Sequence, residues 1–449
     1  MNRRRRRVER RDSPYEEEEE EAWPRLLVAS RRSGLFPSSP RSGMAAAVGR
    51  SGGGKKRKCE WEDGSLGELH DDVLERVLAR LPPASFFRLR GVCRRWSEAA
   101  ASPTFLAECG RIPVRDPWFL MLSDGQEQKR RPAVAFDADE GAWARCRGGA
   151  PGPLPVAAAG GRVLYRAADT GELTVANPLT GASRVLPAPP TSPGALHAIA
   201  MYGSPYRVVL FLGELPDLSM MVFDSSKNSW EDAVALSRKQ EASSTESDAE
   251  SVIGGGGGDE IVYFLSKSGD VMATNMQRSA SRQYSSVVTC LDAGEAVAFF
   301  LSHSGAPVAC DLTRRVFCEL PRILPVYFEY SIDVVACDGR AYVVVLSELL
   351  DTASIRVWEF AGGAWRQVAM MPPSMSHAFY GKKADVNCVG HGNRLLVCIS
   401  SGEANGCFMC DLPTNQWEEL PPYPGPDADG EAMDFVAAFS FEPRMEVTV

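Results

Sequence analysis

The side chains that most often carry catalysis are few in this chain of 449 residues. It has five histidines, and it contains no nucleophile elbow, phosphate-binding loop, His-Glu-x-x-His or paired-carboxylate motif. Cys407 and Cys410 form a Cys-x2-Cys pair, but a zinc site needs further ligands, and residues three apart in a strand point to opposite faces. His377 and Tyr380 are the nearest candidates for a copper centre. The sequence therefore predicts no metal and no cofactor, and a function in binding.

Composition and charge narrow the class of protein further. With 44% hydrophobic and 24% charged residues, the chain resembles soluble globular proteins, and its length predicts two or three domains. No run of about 20 apolar residues occurs, so we expect no membrane span. The net charge of -9 argues against direct nucleic-acid binding. Twelve scattered cysteines predict buried, reduced thiols, and we expect the protein in the nucleus, the cytoplasm or both.

Residues 1–66 form a low-complexity head. Runs of arginine and of glutamate are followed by sequence rich in Ser, Pro and Gly, which buries too little apolar surface to fold. We predict that this head is disordered. Two interpretations of Lys55–Lys58 stay open, a nuclear import signal and a solvated charge run. Met44 is an alternative start of the chain.

A short amphipathic helix follows the head. Four apolar residues at helical spacing define one face: Leu74, Val77, Leu78 and Leu81. Glu75, Arg76 and Arg80 are predicted for the opposite face. Asp71 and Asp72 can cap the first turn, and Pro82-Pro83 ends the helix.

A second apolar run extends this helical unit. Phe86, Phe87 and Leu89 lead to Val92, Cys93 and Trp96, and Ser102-Pro103 is predicted to end the segment. We therefore predict three short helices within residues 67–111. A unit of this size needs external support, so its apolar faces must meet another surface. A helical cap on the following domain is one interpretation.

The order of these residues resembles an F-box, the adaptor-binding module of substrate receptors in SCF-type ubiquitin ligases. Val92-Cys93-Arg94-Arg95-Trp96 and Leu81-Pro82 match the motif, whereas His70 stands where the family normally has proline. The resemblance implies that certain residues divide between the adaptor interface and the module's own core: Leu69, Leu74, Val77, Leu78, Leu81, Pro82, Phe87, Leu89, Val92, Cys93 and Trp96.

From residue 112 to residue 449 the pattern changes to short strands separated by turns. A unit recurs in which an acidic residue ends a strand and an aromatic residue follows six positions later. Its spacing of roughly 40 to 50 residues is the period of propeller blades. The acidic residue is expected to bond its own turn, and the aromatic to pack between blades. The pairs are Asp137 and Trp143, Asp224 and Trp230, Asp311 and Phe317, Glu359 and Trp365, and Asp411 and Trp417.

This repeat resembles a degenerate kelch repeat, so the body is predicted to be an all-β propeller. We favour seven blades, with six as the alternative. Residues 435–441 and the strands at 118–146 are expected to share one blade, which closes the ring. One of the seven predicted blades runs through Val252, Val262, Val271 and Tyr284. A polar segment, 237–258, is expected to form a mobile loop.

An F-box followed by a kelch-like propeller resembles the plant F-box/kelch proteins. This implies a non-catalytic substrate receptor, which binds an SKP-type adaptor, and through it cullin and RING subunits, and presents the propeller to an unidentified protein substrate. A scaffold or transcriptional co-regulator that acts without the ligase is the alternative. A kelch-fold oxidase is a more distant one.

Overall fold

A computed structural model of the chain describes the segments 69–123, 134–145, 154–167, 169–190, 196–239, 262–265, 271–274, 286–290, 296–302, 306–323, 330–349, 351–382, 384–401, 403–422 and 435–449. The predicted disordered head, with Met44 and Lys55–Lys58, lies outside these residues. Most of the predicted loop 237–258 lies outside them as well. No helix in the described part is long and apolar enough to cross a bilayer.

Four short helices form the first unit. They are α1 (Asp71–Ala79), α2 (Pro83–Leu89), α3 (Arg94–Ala99) and α4 (Pro103–Gly110). The prediction of three helices that end at Ser102-Pro103 was wrong, because Pro103 begins a fourth helix. Proline suits the first position of a helix, where the missing N–H would have no partner within the helix.

The rest of the described chain consists mainly of short antiparallel strands. The first half contains β1 (Trp118–Ser123), β2 (Val134–Asp137), β3 (Ala142–Arg145), β4 (Leu154–Ala159), β5 (Arg162–Arg166), β6 (Leu173–Ala176), β7 (Ser183–Val185), β8 (Leu196–Tyr202), β9 (Arg207–Glu214), β10 (Asp217–Asp224), β11 (Ser229–Trp230), β12 (Val234–Ala235), β13 (Ser237–Arg238), β14 (Val262–Leu265) and β15 (Val271–Thr274). The second half contains β16 (Val287–Cys290), β17 (Ala296–Leu301), β18 (Pro307–Asp311), β19 (Val316–Glu319), β20 (Tyr330–Cys337), β21 (Arg340–Leu349), β22 (Thr352–Ala361), β23 (Ala364–Met370), β24 (Asp385–His391), β25 (Arg394–Ser400), β26 (Asn405–Asp411), β27 (Gln416–Glu419) and β28 (Phe435–Phe441).

These strands form six blades of a β-propeller. From the inner strand a to the outer strand d, blade 1 is β28, β1, β2 and β3, blade 2 is β4 to β7, and blade 3 is β8 to β11. Blades 4, 5 and 6 are β16 to β19, β20 to β23 and β24 to β27. Blade 1 therefore joins the C-terminal strand to the first three strands, with Leu120 opposite Phe439, as the sequence predicted. Such closure leaves the ring without a free edge.

The preferred count of seven blades was wrong, and the alternative of six is confirmed. The inner strands contact one another in the order β28, β4, β8, β16, β20, β24 and again β28, which closes a ring of six. The predicted third blade contributes a hairpin of β14 and β15, and β16 contacts β8 directly. Val252 and Tyr284 lie outside the described residues. Two of the four expected strands therefore do not make a blade.

Most of the repeated acidic residues hold the c–d turns of the blades. One carboxylate oxygen of Asp224 accepts the backbone N–H of Ser226 at 2.8 Å, and Asp137, Asp311 and Asp411 hold their turns in the same way. Bonds from the hydroxyl and N–H of Ser226 lower the pKa of Asp224. Glu359 differs, because it pairs with two arginines that flank it in space.

The repeated tryptophans join neighbouring blades. The indole N–H of Trp230 donates to the carbonyl of Pro187 at 2.6 Å, just beyond the last strand of the preceding blade. Trp143 and Trp365 bond Pro421 and Pro321 of their preceding blades at 2.8 and 2.6 Å. Each of these three tryptophans therefore hydrogen-bonds the preceding blade. The other two repeated aromatics show no such bond in the described structure. The Trp417 indole N–H donates to Asn415 of its own turn, and Phe317 is buried in the core.

Candidate functional site

The first helix presents two different apolar faces. Leu74 and Leu78 are buried, whereas Val73 and Val77 are 44% and 49% exposed. The periodicity placed Val77 with the buried leucines, but neighbouring elements cover only part of that stripe. Glu75 was predicted to be on the solvent face and is buried instead, where it accepts a hydrogen bond from the Thr104 hydroxyl of α4.

The buried face of α1 builds a small core with the other three helices. Phe86 of α2 stacks on Phe105 of α4 with ring centroids 4.9 Å apart, and both are fully buried. The buried members of this core are Leu74, Leu78, Ala79, Phe86, Ala99, Phe105 and Cys109. Leu74 and Leu78 therefore belong to the inside of the helical unit, and the surface available to a partner is formed by other residues.

The exposed apolar surface is concentrated on this helical unit. The described residues contain seven exposed large apolar side chains, and four of them lie between positions 73 and 114: Val73, Val77, Val92 and Val114. Val92 is 68% exposed, and the adjacent Cys93 is exposed as well. Apolar side chains that stay in water on a small unit mark an interaction surface. We call Val73, Val77, Val92 and Cys93 the valine surface.

An ion pair ties the start of α3 to the start of α1. Arg95 at the start of α3 donates to the Asp71 carboxylate, with Nε at 2.8 Å from Oδ1, and also to the backbone carbonyl of Leu69. These bonds bring the segment that carries Val92 to the beginning of α1. Asp71 therefore anchors α3, and together with Asp72 it places acidic side chains in the first turn of α1.

The predicted adaptor residues fall into three groups. Leu74 and Leu78 are buried, and Val77, Val92 and Cys93 are exposed. The others are half-buried: Leu69, Leu81, Pro82, Phe87, Leu89 and Trp96. The prediction omitted two exposed residues, Val73 and Val114. Because Val73 lies one turn before Val77, helical spacing from Val77 was a signal that could have identified it.

His70, where the resembling family has proline, keeps a backbone that proline also adopts. Its φ is -60° and its ψ is 144°, and proline holds φ near -65°. The His70 carbonyl accepts the N–H groups of Val73 and Leu74 and so begins α1. The substitution therefore leaves the entry into the helix unchanged. Its imidazole is exposed, 3.6 Å from the Asp72 carboxylate.

The helical unit is held firmly on blade 1 of the propeller. Ala84 and Phe87 of α2 pack against Trp118 and Phe441, and Arg88 pairs with Glu140 in the c–d turn of that blade. The Arg115 guanidinium, itself buried, donates to the carbonyl of Ala79 at 2.9 Å. The C-terminal segment adds Arg444, which donates to the carbonyls of Ile112 and Pro113 at 3.1 and 2.7 Å. The valine surface therefore has a defined position relative to the propeller.

Among the described residues, this attachment leaves the opposite end of the propeller free of contact with the helical unit. In each blade the a–b and c–d turns share one end, since the strands alternate in direction, and the helical unit packs at that end. The b–c hairpins and the connections between blades lie at the other end, which we call the open face. Carboxylates stand on its described hairpins: Asp169, Glu172, Glu214, Asp217, Glu348, Asp351 and Glu403. The described b–c hairpins therefore carry more acidic than basic side chains.

The residues considered for a copper centre lie at the open face. A short helix, α5 (Pro373–Ser376), and a 3-10 turn at His377–Phe379 connect blades 5 and 6. His377 stacks on Tyr380 with centroids 5.9 Å apart, and the Tyr380 hydroxyl donates to Asp351 at 2.9 Å. Among the described residues, no three His, Cys, Asp or Glu side chains converge as a metal site would require. This tyrosine makes an ordinary surface contact.

Helices with this core, attached to a six-bladed propeller, define an F-box protein with a propeller body. The F-box domain family matches residues 66–108. F-box only protein 13 of Arabidopsis thaliana is 41% identical over 430 residues, which are 90% of this chain and 91% of that protein. An F-box/kelch-repeat protein of the same plant is 24% identical over 409 residues, covering 84% of this chain and 89% of that protein. The chain belongs to the plant F-box/kelch-repeat family. An F-box domain implies an SKP-type adaptor as partner.

Proposed function

We propose that the protein is the substrate-recognition subunit of an SCF-type ubiquitin ligase, acting in the nucleus, the cytoplasm or both. The valine surface binds the SKP-type adaptor, and the open face binds a protein target. The observation that carries this proposal is the set of valines that remain exposed on a unit whose leucines and phenylalanines form a complete core. Burial against an adaptor would remove this apolar surface from water.

The arrangement suits a receptor that contributes no reacting group. The adaptor side and the open face are at opposite ends of the molecule, so both partners can bind together. Catalysis is then by proximity, since the receptor raises the concentration of the target near a ubiquitin-charged enzyme. Negative charge on the open face favours target segments that carry Lys and Arg, and it accelerates their association most at low ionic strength.

The test compares adaptor binding by the full chain and by the double variant Val77→Glu/Val92→Glu. Burying unpaired charges in an apolar interface costs several kcal/mol, so we expect the affinity to fall at least about 100-fold. Val185→Glu is the matched control, because Val185 is 54% exposed in the outer strand of blade 2, outside the helical unit. Both variants should keep the thermal midpoint of the wild type.

Two results would count against the proposal. If the wild type does not bind an SKP-type adaptor in a direct binding measurement, the propeller acts without the ligase. If the double variant binds as tightly as Val185→Glu, the valine surface is not the interface. The target side is tested separately in cells, where proteins that bind the wild type should accumulate when the double variant replaces it and when the proteasome is inhibited.

A further inference from the structure

Two cysteines face each other across neighbouring strands of blade 6. Cys398 of β25 lies directly opposite Cys407 of β26, and their Sγ atoms are 3.7 Å apart. Both are present as thiols. At this separation the two sulfur atoms are in van der Waals contact.

The backbone at this pair is suited to a disulfide. Backbone bonds join Leu412 to Asn393 and Ser401 to Ala404 at the two ends of the hairpin. In an antiparallel hairpin, hydrogen-bonded and non-hydrogen-bonded residue pairs alternate along the strands. Counted from the bonded pair at either end, Cys398 and Cys407 form a non-hydrogen-bonded pair. The Cα atoms of such a pair are typically about 4.5 Å apart. A disulfide accepts Cα separations of roughly 4.4 to 6.8 Å. A rotation of the side chains therefore suffices to join the sulfurs.

The two thiols differ in their exposure to solvent, which favours oxidation of one before the other. Cys398 is buried, and Cys407 is only half-buried, so an oxidant from solvent reaches Cys407 first. Both lie at the junction of blades 6 and 1, packed with Phe119, Phe136 and Leu396.

We propose that Cys398 and Cys407 are a redox modification site, which closes to a disulfide in the presence of hydrogen peroxide. The Cys407 thiolate attacks one peroxide oxygen, the O–O bond breaks, and a sulfenic acid and water form. The Cys398 sulfur then attacks the Cys407 sulfur and expels the hydroxyl group. The two thiol protons end in the two water molecules, one formed in each step. Two thiols and one peroxide give one disulfide and two waters.

The disulfide would tie the second and third strands of blade 6 beside the closing blade. It encloses the hairpin at residues 399–406, whose tip reaches the open face. In a reducing compartment such a bond is transient, as expected for a sensor. Oxidation would thus restrain one hairpin of the open face and leave the ring closed.

The test treats the purified full chain with increasing hydrogen peroxide, followed by alkylation and mass spectrometry. Cleavage after Arg394 and Glu403 separates Cys398 from Cys388 and from Cys407, and fragmentation of the linked peptide pair then distinguishes Cys407 from Cys410. We expect this linkage in the wild type and in the control Cys93→Ser, which lacks the exposed thiol of the helical unit, and its reversal by dithiothreitol. In Cys398→Ser, we expect a sulfenic acid on Cys407 that dimedone labels.

Other outcomes would overturn the proposal. One is oxidation of Cys93 at peroxide concentrations that leave residues 398 and 407 unlinked. Another is linkage of Cys407 to a cysteine other than Cys398. The wild-type peptide map decides the question even if a serine variant fails to fold. Phenylarsine oxide, which bridges close thiols, gives an independent readout, and it should protect both cysteines together from alkylation.

Discussion

Leu78 and Val77 are adjacent in α1, and the structure gives them separate tasks. Leu78 is 1% exposed within the core that contains Leu74, Phe86 and Phe105, so Leu78→Ala removes packing and leaves a cavity. Such substitutions cost about 2 to 5 kcal/mol. The equilibrium for local opening of the helical unit should therefore rise about 30-fold to about 5,000-fold.

Val77→Ala should leave the stability of the helical unit nearly unchanged and weaken adaptor binding. The side chain is half-exposed, so we expect a change of less than about 0.5 kcal/mol in the stability of the unit. If the adaptor buries the Val77 side chain, the Val77→Ala variant should bind the adaptor about 1 kcal/mol, or about fivefold, more weakly than the wild type. One variant thus loses stability and the other loses binding.

Hydrogen exchange of the peptide that covers residues 71–79 measures the first effect, and adaptor titration at a temperature where both variants are folded measures the second. Exchange in strands of blades 2 to 5 serves as the internal control, since none of the described residues in the core around Leu78 belongs to these blades. Equal loss of protection in the two variants would refute the division between core and surface. So would unchanged protection in Leu78→Ala.

Two further predictions concern the propeller. A Cβ at Gly390 would lie 2.2 Å from the Ala336 carbonyl oxygen and from the Cys337 sulfur. Gly390→Ala should therefore lower the thermal midpoint far more than Gly392→Ala, whose Cβ meets no atom within 4 Å and adds only the strain of a φ of +54°; equal midpoints would contradict this steric argument. Hydrogen bonds from Arg366 and Arg340 lower the pKa of the Glu359 carboxyl. Glu359→Gln should therefore cost about 1 kcal/mol at pH 7, and the deficit in urea unfolding should shrink as pH falls through that lowered pKa; a deficit independent of pH would contradict it.

Local patterns in the sequence were sufficient for the F-box and for most of the blades. The helical spacing of Leu74 and Leu78 requires a buried face, because one side of a helix must be covered when its apolar residues recur every three to four positions. Five predicted four-strand units match blades 2 to 6, and the closing blade was predicted from the leftover strands at the two ends of the body. Asp224 and Trp230 show why, since a turn bond and its neighbouring aromatic are both encoded within seven residues.

The sequence did not determine the number of blades or the side of the module that meets a partner. Periodicity identifies apolar residues but does not say what covers them, so Val77 and Leu78 were indistinguishable until α2 and α4 were placed beside α1. In the same way, the hairpin of β14 and β15 has the strand pattern of half a blade. Only the contact of β16 with β8 decided that the ring closes without it. Spacing along one chain fixes local faces, whereas contacts between distant segments depend on which surfaces the fold brings together.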